Sequence, residues 1–273
     1  MSRPRLRWTS AALIAAMTVS AAMFQPLASQ ARAAAGPPDF TGVWSRYPDP
    51  LISNYVKNAP PADPRFATPR QPAPPLKPKY QAIWDARLKE LRAADERGEA
   101  IASKAVECLP TGMPTLMRDV WPIEILQTPK QINITQELYT QTRRIYMNEK
   151  QKPLDELELG YYGNSVGHWE GQTLVVDTLG IKDTVRTIAM AGRDVPHSND
   201  MRIVEKIKFV APDFIQDELT VIDPEVLQKP WTYVTSYKRL PETRMVEYVC
   251  DHNREYIDAN GIQKRADAEA PPK

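Results

Sequence analysis

Only two cysteines, Cys108 and Cys250, and three histidines, His168, His197 and His252, occur in 273 residues. No Cys-x-x-Cys is present, which argues against a zinc knuckle and against a thiol redox motif. No His-x-His, His-x-x-x-His or His-Glu-x-x-His is present either, so nothing in the spacing supports a metal site. The chain lacks the basic excess or stripe of a nucleic-acid binder. Without Arg3, Arg5, Arg7 and Arg32 of the first thirty-five residues, the rest holds 31 basic and 34 acidic side chains. It has one long apolar run and no second, so no transmembrane segment is expected beyond the N-terminus. No internal repeat of propeller or solenoid length is visible.

The single apolar run is informative. Met1–Trp8 carries three arginines and no acid, Ala11–Phe24 is almost wholly small or apolar, and Ala31–Ala35 offers small residues at signal-peptidase positions. That order reads as a secretory signal peptide over residues 1–35, cleaved between Ala33 and Gly36, and places the protein in the periplasm or outside the cell. No nucleotide cofactor pool is expected there, and no cofactor or metal is implied. In an oxidising compartment the isolated pair Cys108 and Cys250 is most simply a disulfide. Two buried thiols or a metal pair are the alternatives.

Residues 36–79 hold twelve prolines. Proline cannot donate to a strand ladder and breaks helices, so this reads as an extended arm. Phe40-Thr41-Gly42-Val43-Trp44 is a compact strand signal inside it, and its aromatic rings tether the arm by burial. Residues 80–105 predict the one good helix, amphipathic through Trp84, Ile83, Leu88 and Leu91. Residues 106–256 then alternate at strand period. Candidate strands are Gln131–Glu137, Thr142–Asn148, Asn164–Trp169, Thr173–Thr178, Met201–Val210, Phe214–Ile222, Trp231–Leu240 and Arg244–Asp251. Short turns join most of them, which predicts an antiparallel meander closed into a barrel to remove its edges. Residues 257–273 read as a flexible tail.

Phe40–Trp44 is similar to the Gly-x-Trp opening of lipocalin-like barrels. Arg143-Arg144-Ile145-Tyr146-Met147, Gly163 to Thr178, His197-Ser198, Asp223-Pro224 and Lys229-Pro230-Trp231-Thr232 resemble a family of uncharacterised bacterial exported proteins. The resemblance spans about Phe40 to Asn253. It implies a lipocalin-like β-barrel and no particular reaction. Where the family pattern reads Trp-Glu-Gly-Asp, this chain has Gln172, so no acid role carries over to that position.

Strand parity gives the sharpest chemical expectation. Side chains alternate faces along a strand. On 201–209 the odd positions are Met201, Ile203, Glu205, Ile207 and Phe209, an apolar row with a carboxylate in its middle. Such a carboxylate is costly unless paired. Arg143, on one face with Ile145 and Met147, is the candidate partner. Glu205 then serves either a buried ion pair that fixes strand register or acid/base chemistry. His197, in a loop feeding the Glu205 strand, is the candidate second catalytic group or a loop-stabilising hydrogen bonder. His168 and His252 read as packing or surface residues. Ser165 lies in the letters Gly163-x-Ser165-x-Gly167. A nucleophile elbow needs a helix to follow, and a strand follows instead. Asp177 has an ambiguous face. Trp231, Tyr233 and Tyr237 share a face and, with Tyr248 and Arg143, are the candidate ligand-binding wall.

These residues point first to an exported barrel that binds a small hydrophobic or aromatic molecule. Two other classes remain open. One is a cofactor-independent isomerase, lyase or hydrolase using Glu205 and His197. The other is a cell-envelope interaction module. Neither oligomeric state nor ligand identity is written in the sequence.

Overall fold

The computed structural model describes residues 36–49, 61–98, 109–185 and 195–250, and the backbone of 255–257 and 263–265. The fold is mainly β, a closed nine-stranded, lipocalin-like barrel, with one α-helix among the described residues. The strands, in ring order, are β1 (Gly42–Arg46), β2 (Ile123–Gln127), β3 (Gln131–Gln136), β4 (Gln141–Met147), β5 (Asn164–Glu170), β6 (Thr173–Leu179), β7 (Arg202–Ala211), β8 (Phe214–Ile222) and β9 (Trp231–Arg239). Helix α1 spans Pro78–Glu96. A separate two-stranded hairpin pairs β10 (Glu255–Ile257) with β11 (Gln263–Arg265).

Nine is an odd number, and strand directions cannot alternate all the way around an odd ring. One parallel seam is therefore obligatory. It lies between β4 and β5, where Ile145 faces Ser165 and Met147 faces Gly167. Parallel neighbours need a crossover of a dozen or more residues, and the connection 148–163 supplies it. The ring thus differs from the all-antiparallel meander expected from the turn signals. The added strands are Ile123–Gln127 and Gly42–Arg46. The latter, expected as a tether for the arm, pairs with both β2 and β9 and closes the barrel.

Closure also explains why Arg244–Asp251 does not form its expected strand over Arg244–Cys250. The outer edge of β9 is already taken by β1, so the alternating pattern of 244–250 has no ladder to join. Segment 66–76 instead crosses the outside of β8 and β9. Phe66 stacks on Phe214 at 4.3 Å, Thr68 Oγ1 accepts from Ser236 N at 3.0 Å, and Trp231 Nε1 donates to Pro72 O at 3.0 Å. In α1 Trp84 and Ala94 are buried and Leu88 and Leu91 half-buried, while Ile83, expected on that face, is about half exposed. Pro at the first helical position suits the start, since its missing N–H is one the helix leaves unpaired there.

The interior is a packed core. Ile123 and Ile125, Ile132 and Ile134, Ile145 and Met147, Leu174 and Val176, Ile203 and Ile207, Ile215, Leu219 and Val221 point inward at period two. The lower end, beneath the β5–β6 and β7–β8 hairpins, is sealed by aromatics. Phe40 lies 5.6 Å from Trp169 and 5.1 Å from Phe209, and Trp44 Nε1 donates to Phe40 O at 2.8 Å. The upper end is covered by segment 109–118, which buries Met113, Leu116 and Met117, and by the 195–201 loop.

The Gly163-x-Ser165-x-Gly167 letters are set by this packing. Gly163 has φ +62°, and a Cβ there would sit 2.4 Å from Leu179 O. A Cβ on Gly167 would sit 2.8 Å from Ile145 Cγ2. Both glycines let backbone and side chains approach across the barrel wall. Ser165 is buried in strand β5, not poised on a turn.

Candidate functional site

The buried polar groups of the barrel fall into two sets. The first is built on Arg143. It leaves β4 beside the parallel seam and reaches over three neighbouring strands. Nη1 donates to Glu205 Oε1 at 2.9 Å, Nη2 to Glu205 Oε2 at 2.5 Å, Nε to Ser165 Oγ at 3.2 Å and Nη2 to Thr178 Oγ1 at 3.0 Å. Ser165 and Thr178 hydroxyls also meet at 2.8 Å. Arg143 and Glu205 are both 0% exposed. The parity reading of Glu205 and its pairing with Arg143 match this geometry. The bidentate fork satisfies both carboxylate oxygens, the condition under which a buried pair is tolerated.

The second set lies on β8, β9 and β1. Asp217, one diagonal from Glu205 across the β7–β8 ladder, is 0% exposed, and neither of its carboxylate oxygens has a hydrogen-bond partner. Burial, and after it the charge on Glu205, push its carboxyl well above the usual carboxylate range, while Arg143 offsets only part of this. Burial thus favours the protonated form of Asp217. Tyr233 and Tyr237 share the inward face of β9 with Trp231 and Thr235. Burial raises both phenols above their ordinary range. Tyr237 OH donates to Met117 O, but Tyr233 OH has no partner. Over the Tyr233 ring, 5.4 Å from its centroid, lies the Arg118 guanidinium.

His197 is not joined to Glu205. Its Nδ1 faces Ser198 O at 3.1 Å and its Nε2 faces Val185 O at 2.9 Å. The adjoining loop is knotted to Asp223, whose carboxylate accepts from Ser198 N at 2.7 Å, Ser198 Oγ at 3.0 Å and Val226 N at 3.1 Å. His197-Ser198 and Asp223-Pro224, two of the resemblance motifs, thus form one loop clasp at the upper end. A void lined by Pro114, His197, Met201, Val221, Leu227 and Trp231 lies beneath it, with about 10 Å³ available to the centre of a water. That is about what a single water needs.

Tyr248 is a correction to the expected ligand-binding wall. It lies outside the barrel, 5.0 Å from Trp121 and 5.7 Å from Tyr139, because residues 244–250 form no barrel strand. Asp177 faces outward and holds Arg202 through a fork of 2.7 and 2.9 Å. His168 is exposed, 3.3 Å from Glu170. Cys108, His252 and residues 1–35 lie outside the described residues, and no free cysteine is present among the described ones.

Asp217 had a readable signal. The row Ile215, Asp217, Leu219, Val221 repeats the pattern that exposed Glu205. Arg46 and Arg118 had none, because their surroundings come from distant segments. Among the described residues no group of three or more His, Cys, Asp or Glu is placed to hold a metal ion. No helix of the described residues is long and apolar enough to cross a membrane. No protein-family model and no curated protein matches the chain.

Proposed function

We propose that the chain is an exported barrel protein that binds a small hydrophobic or aromatic molecule. The ligand site is at the upper end, where the Trp231–Tyr233–Tyr237 row meets segment 109–118. The observation that carries this reading is the partnerless Tyr233 hydroxyl together with the partnerless Asp217 carboxyl, on residues one diagonal apart across the β8–β9 ladder. Buried polar atoms are almost always hydrogen-bonded, and exceptions cluster where a ligand or reacting group belongs. An aromatic wall with a few convergent polar groups is the usual make-up of a small-molecule site. The Arg143–Glu205 pair is assigned a structural role, since every Glu205 oxygen is used within the wall. The acid/base alternative has less support, because Glu205 and His197 each bond to other groups and not to one another.

Export rests on the N-terminal order of charged, apolar and small residues, and the Cys108–Cys250 disulfide on the compartment that export implies. Intact mass of secreted protein should show loss of the segment ending between Ala33 and Gly36. Both thiols should resist maleimide in denatured, unreduced protein. Native mass spectrometry of protein taken from its own periplasm should show a small-molecule adduct that denaturation releases. A bare polypeptide mass, with no thermal shift from a panel of aromatic and terpenoid compounds, overturns the binding reading.

A further inference from the structure

Among the described residues, two arginines at the upper end of the barrel form no ion pair. Arg46 ends β1 opposite Tyr237 on β9. Its Nη1 donates to Arg118 O at 2.9 Å, while its Nε is buried and bonded to nothing. The Arg118 side chain turns onto Tyr233. It reaches only Val234 O at 3.4 Å and Thr235 Oγ1 at 3.5 Å, both at the outer limit of hydrogen bonding. Burial and the neighbouring Arg46 charge pull its pKa below the ordinary guanidinium value. The ion pairs formed among the described residues involve other side chains, so neither arginine has a described carboxylate within 4.0 Å. Of the buried carboxylates on the barrel wall, Glu205 is held by Arg143, and burial favours the protonated form of Asp217.

The Arg46 guanidinium is anchored on the Arg118 carbonyl, and its charge acts unfavourably on the partly desolvated Arg118 guanidinium. One oxyanion placed between them reverses the sign of the interaction. Guanidinium forks bind carboxylate or phosphate in matched geometry, and burial strengthens such bonds. Tyr233 adds a protonated hydroxyl with no other acceptor and an aromatic face already in contact with Arg118.

We propose that Arg46, Arg118 and the Tyr233 hydroxyl form an oxyanion site, and that the ligand of the barrel is a small organic acid. Its carboxylate sits on the two arginines, and its apolar or aromatic body takes the place of segment 109–118 against the Trp231–Tyr233 wall, which that segment now covers. This rests on the binding reading above and assigns the ligand its charge.

The test compares 1-naphthoate with 1-naphthol, two ligands with the same rings, on the mature full chain. Calorimetry and thermal shift are run at fixed ionic strength. The parent should bind naphthoate at least about tenfold tighter than naphthol, the scale of one charge-assisted contact. Arg118→Met and Arg46→Met should each erase that preference while naphthol affinity stays within about twofold. Lys206→Met, a change at an exposed position on β7, should preserve it. If a variant fails to fold, phenylglyoxal labelling of the parent reads the same site. Naphthoate, and not naphthol, should then protect Arg46 and Arg118. Equal binding of both ligands, unaffected by either arginine, overturns the oxyanion site and leaves the binding reading standing. Binding of neither ligand overturns both. Inorganic phosphate that binds more tightly than naphthoate overturns the carboxylate assignment in favour of a phosphorylated ligand.

Discussion

The β4–β7 side of the barrel and the β8–β9–β1 side both bury charge-bearing residues, and they treat them in opposite ways. On the first side, Arg143, Glu205, Ser165 and Thr178 use one another up. On the second, Asp217, Tyr233, Arg46 and Arg118 retain unused donors and acceptors. Burial alone therefore does not mark a functional group. Among these buried and half-buried residues, unspent hydrogen-bonding capacity separates the side whose polar groups are fully used from the side proposed to bind a ligand.

The sharpest way to break this comparison is to make the satisfied side unsatisfied. Arg143→Met should strand the Glu205 carboxylate and cost about 3–5 kcal/mol, read by urea unfolding at pH 7. Adding Glu205→Leu should recover most of that loss, since replacing a whole buried pair with apolar groups is often neutral. A double variant as unstable as the single one would show that the pair does more than compensate its own burial.

Asp223→Ala removes the carboxylate that gathers Ser198 and Val226. It should cost about 1–3 kcal/mol and loosen the 195–201 loop, seen as faster amide exchange at Ser198. Exchange unchanged at Ser198 would mean that the clasp does not hold the loop.

Asp217→Asn tests the other side, and its sign is opposite. The folded state holds the Asp217 proton more tightly than the unfolded chain does. Stability is thus lost as pH rises from the unfolded carboxyl value of 3.8 toward the raised folded value. The substitution removes that loss. It should raise Tm by about 2–4 °C at pH 8, with the gain shrinking toward zero near pH 4. A destabilised variant across the whole range would mean that Asp217 is ionised and compensated in the native protein.

The smallest effect belongs to the surface. Asp177→Ala breaks the exposed fork to Arg202 and should cost no more than about 1 kcal/mol, less in high salt. A larger loss would blur the line between buried and exposed pairs on β6 and β7.

The parts legible in the sequence are those that local periodicity encodes. The inward face of β7, the burial of Glu205 and its pairing with Arg143 follow from period-two alternation and the cost of a lone buried charge. The Glu170-Gly171 turn is legible for the same local reason, because Gly171 takes φ +60° there. What alternation cannot report is vacancy in a ladder. Arg244–Cys250 alternates like a strand, yet β1 occupies the edge it would need, and Tyr248 leaves the barrel wall with it. The Arg46–Arg118 site is illegible for a related reason. Its members come from the first strand and from a loop seventy-two positions later, with no shared motif.

The seam between β1 and β9 has a consequence for the order of events in synthesis. Trp44 pairs with Arg239, so the ring cannot shut until nearly the whole barrel sequence has been made. A nascent chain emerging N-terminus first carries an open sheet whose first strand waits for its last. Contacts this distant in sequence close slowly. The same delay makes strand β1, five residues long, the strand whose docking closes the ring.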